Sequence, residues 1–506
     1  MKKKGKLFLA VLLFSLVRTG AFAQSAGNKA IIFPEIDGDP KAYAFYLKGA
    51  DGRNYSWIDL AEISLWASGA ENAAAGLEQI QKIAAAIQAS PELPHSSREK
   101  AEFILSYMHK NLLKSYSLNQ TKIDTMLQGG SFNCVSSAAL YMILCKSAGL
   151  EVSGVVTKDH AFAAVHFNGE TVDVETTNPY GFDPGSSRRE FTDQFGTVTG
   201  FAYVPARNYH ERQAISSIEL VSLIFWNRIS LLEAGNRYVE AVPLAINRAI
   251  LLNGEKVNKG TGNSETVNST GSHDHLFEDP YKCLLDRLFN YGSSLLKSGR
   301  EEEALAWATK ASTRYRAEDR WQEFIFAAAN NRFNKFVKAG KTAEARAFLD
   351  EQKSALSPAN YAQLDKVLVD TELVSLAGKI CGAEDGDNVL AAIEAARAKE
   401  SISDRRAGEL INFAILKTAS ILSAAPIRDW LAAIRYMENS VSRYGSNTEL
   451  EKALESYRGN RATDFHNRFA TAWNRKNFDE ARRVLEEGLA EFPEDRRLLA
   501  DMEAVK

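Results

Sequence analysis

The sequence predicts an α+β unit followed by an all-α region, and three observations predict it. The run Asn133-Cys134-Val135-Ser136-Ser137-Ala138-Ala139-Leu140-Tyr141-Met142-Ile143-Leu144-Cys145 is almost continuously apolar and has the length of a helix. Short β-rich segments follow it, two of them joined by Asn168-Gly169, the strongest short-range hairpin signal. From about residue 210 the pattern changes to paired helices with a recurring turn. The chain has 506 residues with only 12 prolines, so two or three mostly helical domains are expected.

Residues 1–23 read as a secretory signal. Lys2, Lys3, Lys4 and Lys6 precede the apolar run Leu7 to Val17, and Ala21-Phe22-Ala23 offers small residues for cleavage near Ala23-Gln24. The run is short for a membrane span, and no later stretch is apolar enough for one. No cysteine precedes Cys134, which excludes a lipidated cleavage site. The expected location is the periplasm or the medium of a bacterium, with no transmembrane segment after signal removal. The formal net charge is −3. All of the charge in the signal segment is basic, so the body is more acidic than that figure, and nucleic acid is not an expected partner.

Residues 24–95 form a mostly helical segment expected to pack on the core. Residues 24–54 carry no sustained period, whereas Trp57 to Trp66 and Ala73 to Ala89 read as helices. Ser90-Pro91-Glu92-Leu93-Pro94 breaks the pattern. Ser96 then caps Arg98 to Leu113, with Glu99 placed for a capping box.

The α+β unit is assigned to residues 96–205. Gly129-Gly130 and the polar Ser131 and Asn133 put Cys134 in the first turn of its helix, and Gly149 stops that helix. Val152 to Val156, Ala161 to Phe167 and Thr171 to Thr177 read as strands. Cys134 and Cys145 lie about 16 Å apart along one helix axis and cannot bridge. Cys145, Cys283 and Cys381 are expected to be small buried apolar groups.

Residues 210–506 are assigned to helical hairpins, with a disordered, Gly-, Asn-, Ser- and Thr-rich insertion near 254–275. The repeated steps are Gly235 to Ala241, Gly299 to Ala304, Gly340 to Ala345 and Lys476 to Ala481. Each sets a turn before a small residue where one helix approaches another. Ala311 adds a small contact point, and Pro493 falls where a repeat ends. These stretches resemble tetratricopeptide repeats, which implies a protein partner held by the helical surface.

The chemistry is expected at Cys134. A cysteine in the first helical turn gains from the helix dipole, and its own N–H can face a developing oxyanion. With Asn168-Gly169 as a two-residue loop, Phe167 faces Glu170. The register then sets His160 opposite Thr177, Phe162 opposite Glu175, Ala164 opposite Asp173 and His166 opposite Thr171. Both histidines and both carboxylates share one face, so His160 can pair with Glu175, or His166 with Asp173. Strand geometry leaves that choice open.

Three blocks bear on it: Asn133 to Ala138, Asp159-His160-Ala161-Phe162, and Val172-Asp173-Val174-Glu175-Thr176-Thr177. Together they resemble the transglutaminase-like cysteine domain, in the bacterial branch joined to tetratricopeptide repeats. The resemblance covers the helix near Arg98 to Phe182 and implies a papain- and transglutaminase-like core. It places the family's triad on Cys134 as nucleophile, His160 as base and Glu175 as orienting acid, with Asp173 the alternative acid. Here the acid is Glu where the family usually has Asp, and Phe162 stands where Trp is usual.

The implied activity is cysteine-dependent chemistry on amide bonds of a peptide or protein, with hydrolysis favoured over transfer to an amine. The competing expectation is a catalytically inactive scaffold or adaptor of the cell envelope. His273-Asp274-His275 has no clear third ligand, and no zinc-peptidase helix, phosphate loop or dinucleotide glycine pattern occurs, so no metal or cofactor is expected.

Overall fold

The computed structural model describes residues 33–50, 54–184, 212–259, 279–424 and 428–505. The signal segment and the His273-Asp274-His275 run lie outside them. The described chain is mostly helical with a small antiparallel sheet.

The first helices are α1 (Pro40–Ala50), α2 (Trp57–Ser68), α3 (Ala73–Gln88) and α4 (Ser97–Asn111). Helix α1 falls where no period was expected. It begins on a proline, whose missing N–H costs nothing in the first turn. It is also held by tertiary contacts: Ala42 is fully buried, and the Phe45 ring lies 5.6 Å from that of Trp66. Such contacts override a weak local signal. Ser56 and Asp59 form a reciprocal capping box on α2, and Ser96 accepts the Glu99 N–H on α4. At α4 the Glu99 carboxylate accepts from the Ser96 hydroxyl at 2.6 Å, a side-chain variant of the expected box.

A short parallel pair, β1 (Ser115–Tyr116) and β2 (Ser131–Phe132), brackets the seven-residue α5 (Ile123–Gly129). None of the three was expected, because two-residue strands and a two-turn helix carry no readable period. Gly130 ends α5 in the left-handed region at φ 79°. The chain then enters β2 and, directly, α6 (Cys134–Ser147).

Helix α6 is buried on every side from Cys134 to Cys145, as its unbroken apolar run requires. It packs on β3 (Glu151–Val156) and β4 (Ala161–Phe167) and is flanked by α2 and α4. With β5 (Glu170–Val174) and β6 (Gln213–Ile215) these strands form an antiparallel sheet of order β5-β4-β3-β6. The hairpin register is the expected one: Phe167 faces Glu170, His166 faces Thr171 and Ala164 faces Asp173. Asn168 and Gly169 both take positive φ, as this turn demands.

The ladder ends earlier than predicted, at Ala163 and Val174. Thr171 to Thr177 is therefore not one strand. The Glu175 N–H donates to Gly181 O at 2.7 Å, which folds residues 175–181 into a turn, and His160 lies just ahead of β4.

The following helices are α7 (Ser217–Ala234), α8 (Tyr238–Lys259), α9 (Pro280–Lys297), α10 (Glu301–Arg314), α11 (Glu318–Lys338), α12 (Thr342–Glu351) and α13 (Pro358–Gly378). After these come α14 (Ala383–Ala398), α15 (Asp404–Ser423), α16 (Trp430–Tyr444), α17 (Thr448–Asn474), α18 (Phe478–Glu491) and α19 (Arg496–Val505). Helix α7 packs on α2, α6 and β3, and one apolar core runs from Ala42 to Leu368. The core around the sheet thus does not stop where the strands stop. Separate clusters serve Leu373 to Leu450 and Ala462 to Leu498.

Part of the expected disordered insertion is helical: Gly254 to Lys259 continue α8 beyond a non-helical Asn253. Gly254 packs against Tyr46 and Tyr43 of α1, so tertiary contact supports this end despite its composition. The remainder of the insertion lies outside the described residues. The repeated steps share a specific backbone device. Asn236, Gly299, Gly340 and Lys476 all take positive φ, each five residues before a buried alanine: Ala241, Ala304, Ala345 and Ala481.

Among the described residues, no helix is long and apolar enough to cross a membrane. None of the four cysteines forms a disulfide among the described residues. Cys134, Cys145 and Cys283 are buried, but Cys381 is exposed, contrary to the sequence reading. It occupies the turn between α13 and α14, where its N–H donates to Asp385 and its thiol to Lys379 O, and no apolar face receives it.

Candidate active site

Cys134 is the first residue of α6, and its entry is rigidly capped. Asn133 accepts the Ser136 N–H at 2.9 Å, while Ser136 Oγ accepts the Asn133 N–H at 2.9 Å. Asn133 also donates to Leu118 O, pinning the preceding loop. As a first-turn residue, Cys134 has its N–H outside the intrahelical ladder. Cys134 is 9% exposed, and it is exposed on the side that lines a cleft.

That side holds His160. The imidazole and the Cys134 side chain line the same cleft and interact electrostatically, and the imidazole Nε2–H donates to Glu175 Oε2 at 2.6 Å. With Nε2 committed to the carboxylate, Nδ1 is the ring nitrogen left for the thiol. Burial disfavours the imidazolium, but the Glu175 charge and the Cys134 sulfur outweigh it and hold His160 well above its ordinary range. Thiol, imidazole and carboxylate thus stand together, with the imidazole bonded to the carboxylate.

Glu175 is fully buried, and its remaining oxygen is satisfied locally: Oε1 accepts the Thr177 N–H at 3.1 Å and the Thr177 hydroxyl at 2.6 Å. A buried carboxylate needs such partners to stay ionised. Its turn is stitched to two helices. The Thr176 and Ser137 hydroxyls lie 2.8 Å apart, and His109 Nε2–H donates to Thr176 O at 3.0 Å. Burial lowers the His109 pKa, which favours the neutral ring. Gly181 closes the turn, because a Cβ there would lie 1.9 Å from Glu175 O.

The other predicted pairing does not form. Asp173 is clamped by both terminal nitrogens of Arg212 at 2.8 Å. His166 shares hydrogen bonds with Ser153 at 2.8 Å and Thr171 at 3.1 Å. Asp173 and His166 lie within the ladder, and Glu175, just past its end, makes the His160 pairing, the other of the two expected.

A cleft of about 750 Å³ opens beside Cys134 and His160. Its near wall includes Leu118, Asn133 and Asp159, and its far wall is Trp226 of α7, Arg248 of α8 and Arg287 of α9. The sequence reading missed this wall, since its residues belong to three separate helices with no shared motif. It also missed His109, Ser137 and Thr176 as supports of the acid turn; Thr176 beside Glu175 was visible, but its partners were not. Chemically, the arrangement offers a nucleophile, a proton carrier and an orienting acid beside space for an extended chain. Comparison of the chain with protein-family models and with curated proteins found no match.

Proposed function

We propose that this protein is an exported, transglutaminase-like thiol enzyme acting on amide bonds of a peptide or protein, with Cys134, His160 and Glu175 as its triad. The observation that carries the reading is the His160–Glu175 hydrogen bond beside Cys134, at the mouth of one cleft. In the first step the Cys134 thiolate attacks the amide carbonyl carbon, and the Cys134 N–H faces the resulting oxyanion. The imidazolium of His160 protonates the leaving amine as the C–N bond breaks, giving a thioester. His160 then takes a proton from water, which attacks the thioester and releases the acid and the thiol. An amine can replace water in the second step; water is the favoured acceptor, by resemblance to bacterial relatives of this domain.

The turn–alanine hairpins support tetratricopeptide-like repeats, and their role is to bind a protein partner. The basic, apolar N-terminus supports export through a cleaved signal, to the periplasm or beyond.

A chloroacetamide-bearing peptide probe tests the chemistry. Expected is rapid labelling near neutral pH, mapped to Cys134, and slowed at least about tenfold in His160→Ala. Equal labelling of both proteins would favour the scaffold reading instead.

A further inference from the structure

Two arginines, Arg248 and Arg287, line the same cleft as Cys134 and His160. Arg248 is only 4% exposed, and its guanidinium lies 5.1 Å from the Trp226 ring centroid; that of Arg287 lies 5.0 Å from the same ring. One indole therefore orders two planar cations. Glu233 lies 3.3 Å from Arg287 Nη1 and accepts from Asn290 at 3.2 Å, which fixes the Arg287 side chain. Arg287 Nε is nevertheless buried with no acceptor among the described residues. Of the described lining residues, Asp159 is the one acid, against Lys158, Arg248 and Arg287.

We infer that Trp226, Arg248 and Arg287 form a subsite for a carboxylate carried by the peptide whose amide reacts at Cys134. The assignment of that peptide as substrate rests on the thiol-enzyme reading; the carboxylate subsite itself rests on the wall. A carboxylate accepts two parallel N–H bonds from a guanidinium, an arrangement that a neutral amide does not match. Burial first holds Arg248 below the ordinary guanidinium range; the Cys283 side chain opposes it, and the neighbouring Arg287 charge adds to it. A bound anion relieves that repulsion. The aliphatic part of a glutamyl side chain can lie along Leu223 and the indole, so an acidic peptide segment fits better than a small inorganic anion.

Binding to the full chain carrying Cys134→Ser tests this without chemistry. Calorimetry would compare acetylated alanine hexapeptide amides bearing a single Glu at each position with the same series bearing Gln. A third arm is the neutral peptide with a free C-terminal carboxylate. Expected is a preference of about tenfold for one Glu position, or for the free terminus, which identifies the source of the carboxylate. The preference should shrink as salt is raised.

Arg287→Gln should abolish it, and Arg287→Lys should retain part of it, with circular dichroism verifying the fold of each. Equal binding of the Glu and Gln series with no gain from the free terminus, or no binding by any peptide, overturns the subsite. So does a preference that survives Arg287→Gln. Alkylation of Cys134 in the wild-type chain reads the thiol chemistry separately. An inert Cys134 beside a retained Glu preference would defeat the enzyme reading and leave the subsite standing.

Discussion

The Ser137 hydroxyl lies 2.8 Å from that of Thr176, tying the first turn of the cysteine helix to the turn that carries Glu175. Both groups are fully buried, so this bond sets the distance between the helix and the acid. Thr176→Val keeps the shape and removes the bond, leaving Ser137 with its bonds to Asn133 O and Cys134 O. The expected cost is about 1 kcal/mol of stability, read by urea unfolding. Cys134 alkylation should slow severalfold, since the acid turn loses its register on α6.

Glu175→Gln should lower the His160 pKa toward its ordinary value, measured by NMR titration, while Asp173→Asn should leave it unchanged. Burial alone pushes the imidazole toward neutrality; the Glu175 charge is the leading effect that raises it. Because the folded-state pKa is raised, this pair's contribution to stability is fully present below the ordinary imidazole value of about 6.5. It is lost as pH rises through the elevated native value. The stability gap between wild type and Glu175→Gln should therefore narrow on going alkaline above about 6.5, as followed by denaturant unfolding across pH.

Gly181→Ala tests whether the acid turn has any slack. Its Cβ would meet backbone on both sides, Glu175 O at 1.9 Å and Asn178 O at 3.0 Å, and backbone cannot rotate aside as a side chain can. The expected loss is on the order of 3 kcal/mol. Cys134 reactivity should fall with it, because the same carbonyl belongs to the residue that orients His160. Tm and alkylation rate together would show both effects.

The cysteines provide a chemical map of burial. In the native protein, iodoacetamide should label Cys381 and Cys134, whereas Cys145 and Cys283 should react only after unfolding. Cys145 is enclosed by core side chains, and burial pushes its thiol up, which disfavours the reactive thiolate. Peptide mass mapping before and after denaturant would decide it.

How much of this was legible in the sequence depended on whether the signal was local. The Asn168-Gly169 hairpin and its register, the capped helices and the apolar α6 were all readable, because each is set by adjacent residues. The face shared by His160, His166, Asp173 and Glu175 followed from strand alternation; the ladder carries His166 and Asp173, and the His160–Glu175 pairing forms just beyond its end. What alternation did not show is the turn that holds Glu175, closed where Gly181 O accepts its N–H, twelve residues beyond the hairpin loop. The Arg212 clamp on Asp173 and the Trp226 wall were illegible for a related reason. Their partners are brought together only by packing of distant segments.

The left-handed residue five positions before each buried alanine is a device that the repeat pattern hid, because two of its four copies are not glycine. Gly340→Ala isolates the backbone effect, since a Cβ there would touch nothing within 4 Å while φ is 70°. It should cost about 1 kcal/mol. Lys476→Gly is the converse: its φ of 58° suits glycine, and its N–H closes the end of α17 on Trp473 O. Glycine's greater freedom in the unfolded chain offsets part of the gain, leaving a stabilisation of about 0.5 kcal/mol. Asn236→Gly should gain less, because asparagine already tolerates this region. Equal and opposite shifts in the denaturation midpoint for Gly340→Ala and Lys476→Gly would mean that the unfolded-state term is negligible; a net loss for Lys476→Gly would mean that the lysine side chain contributes a contact worth more than the strain it imposes.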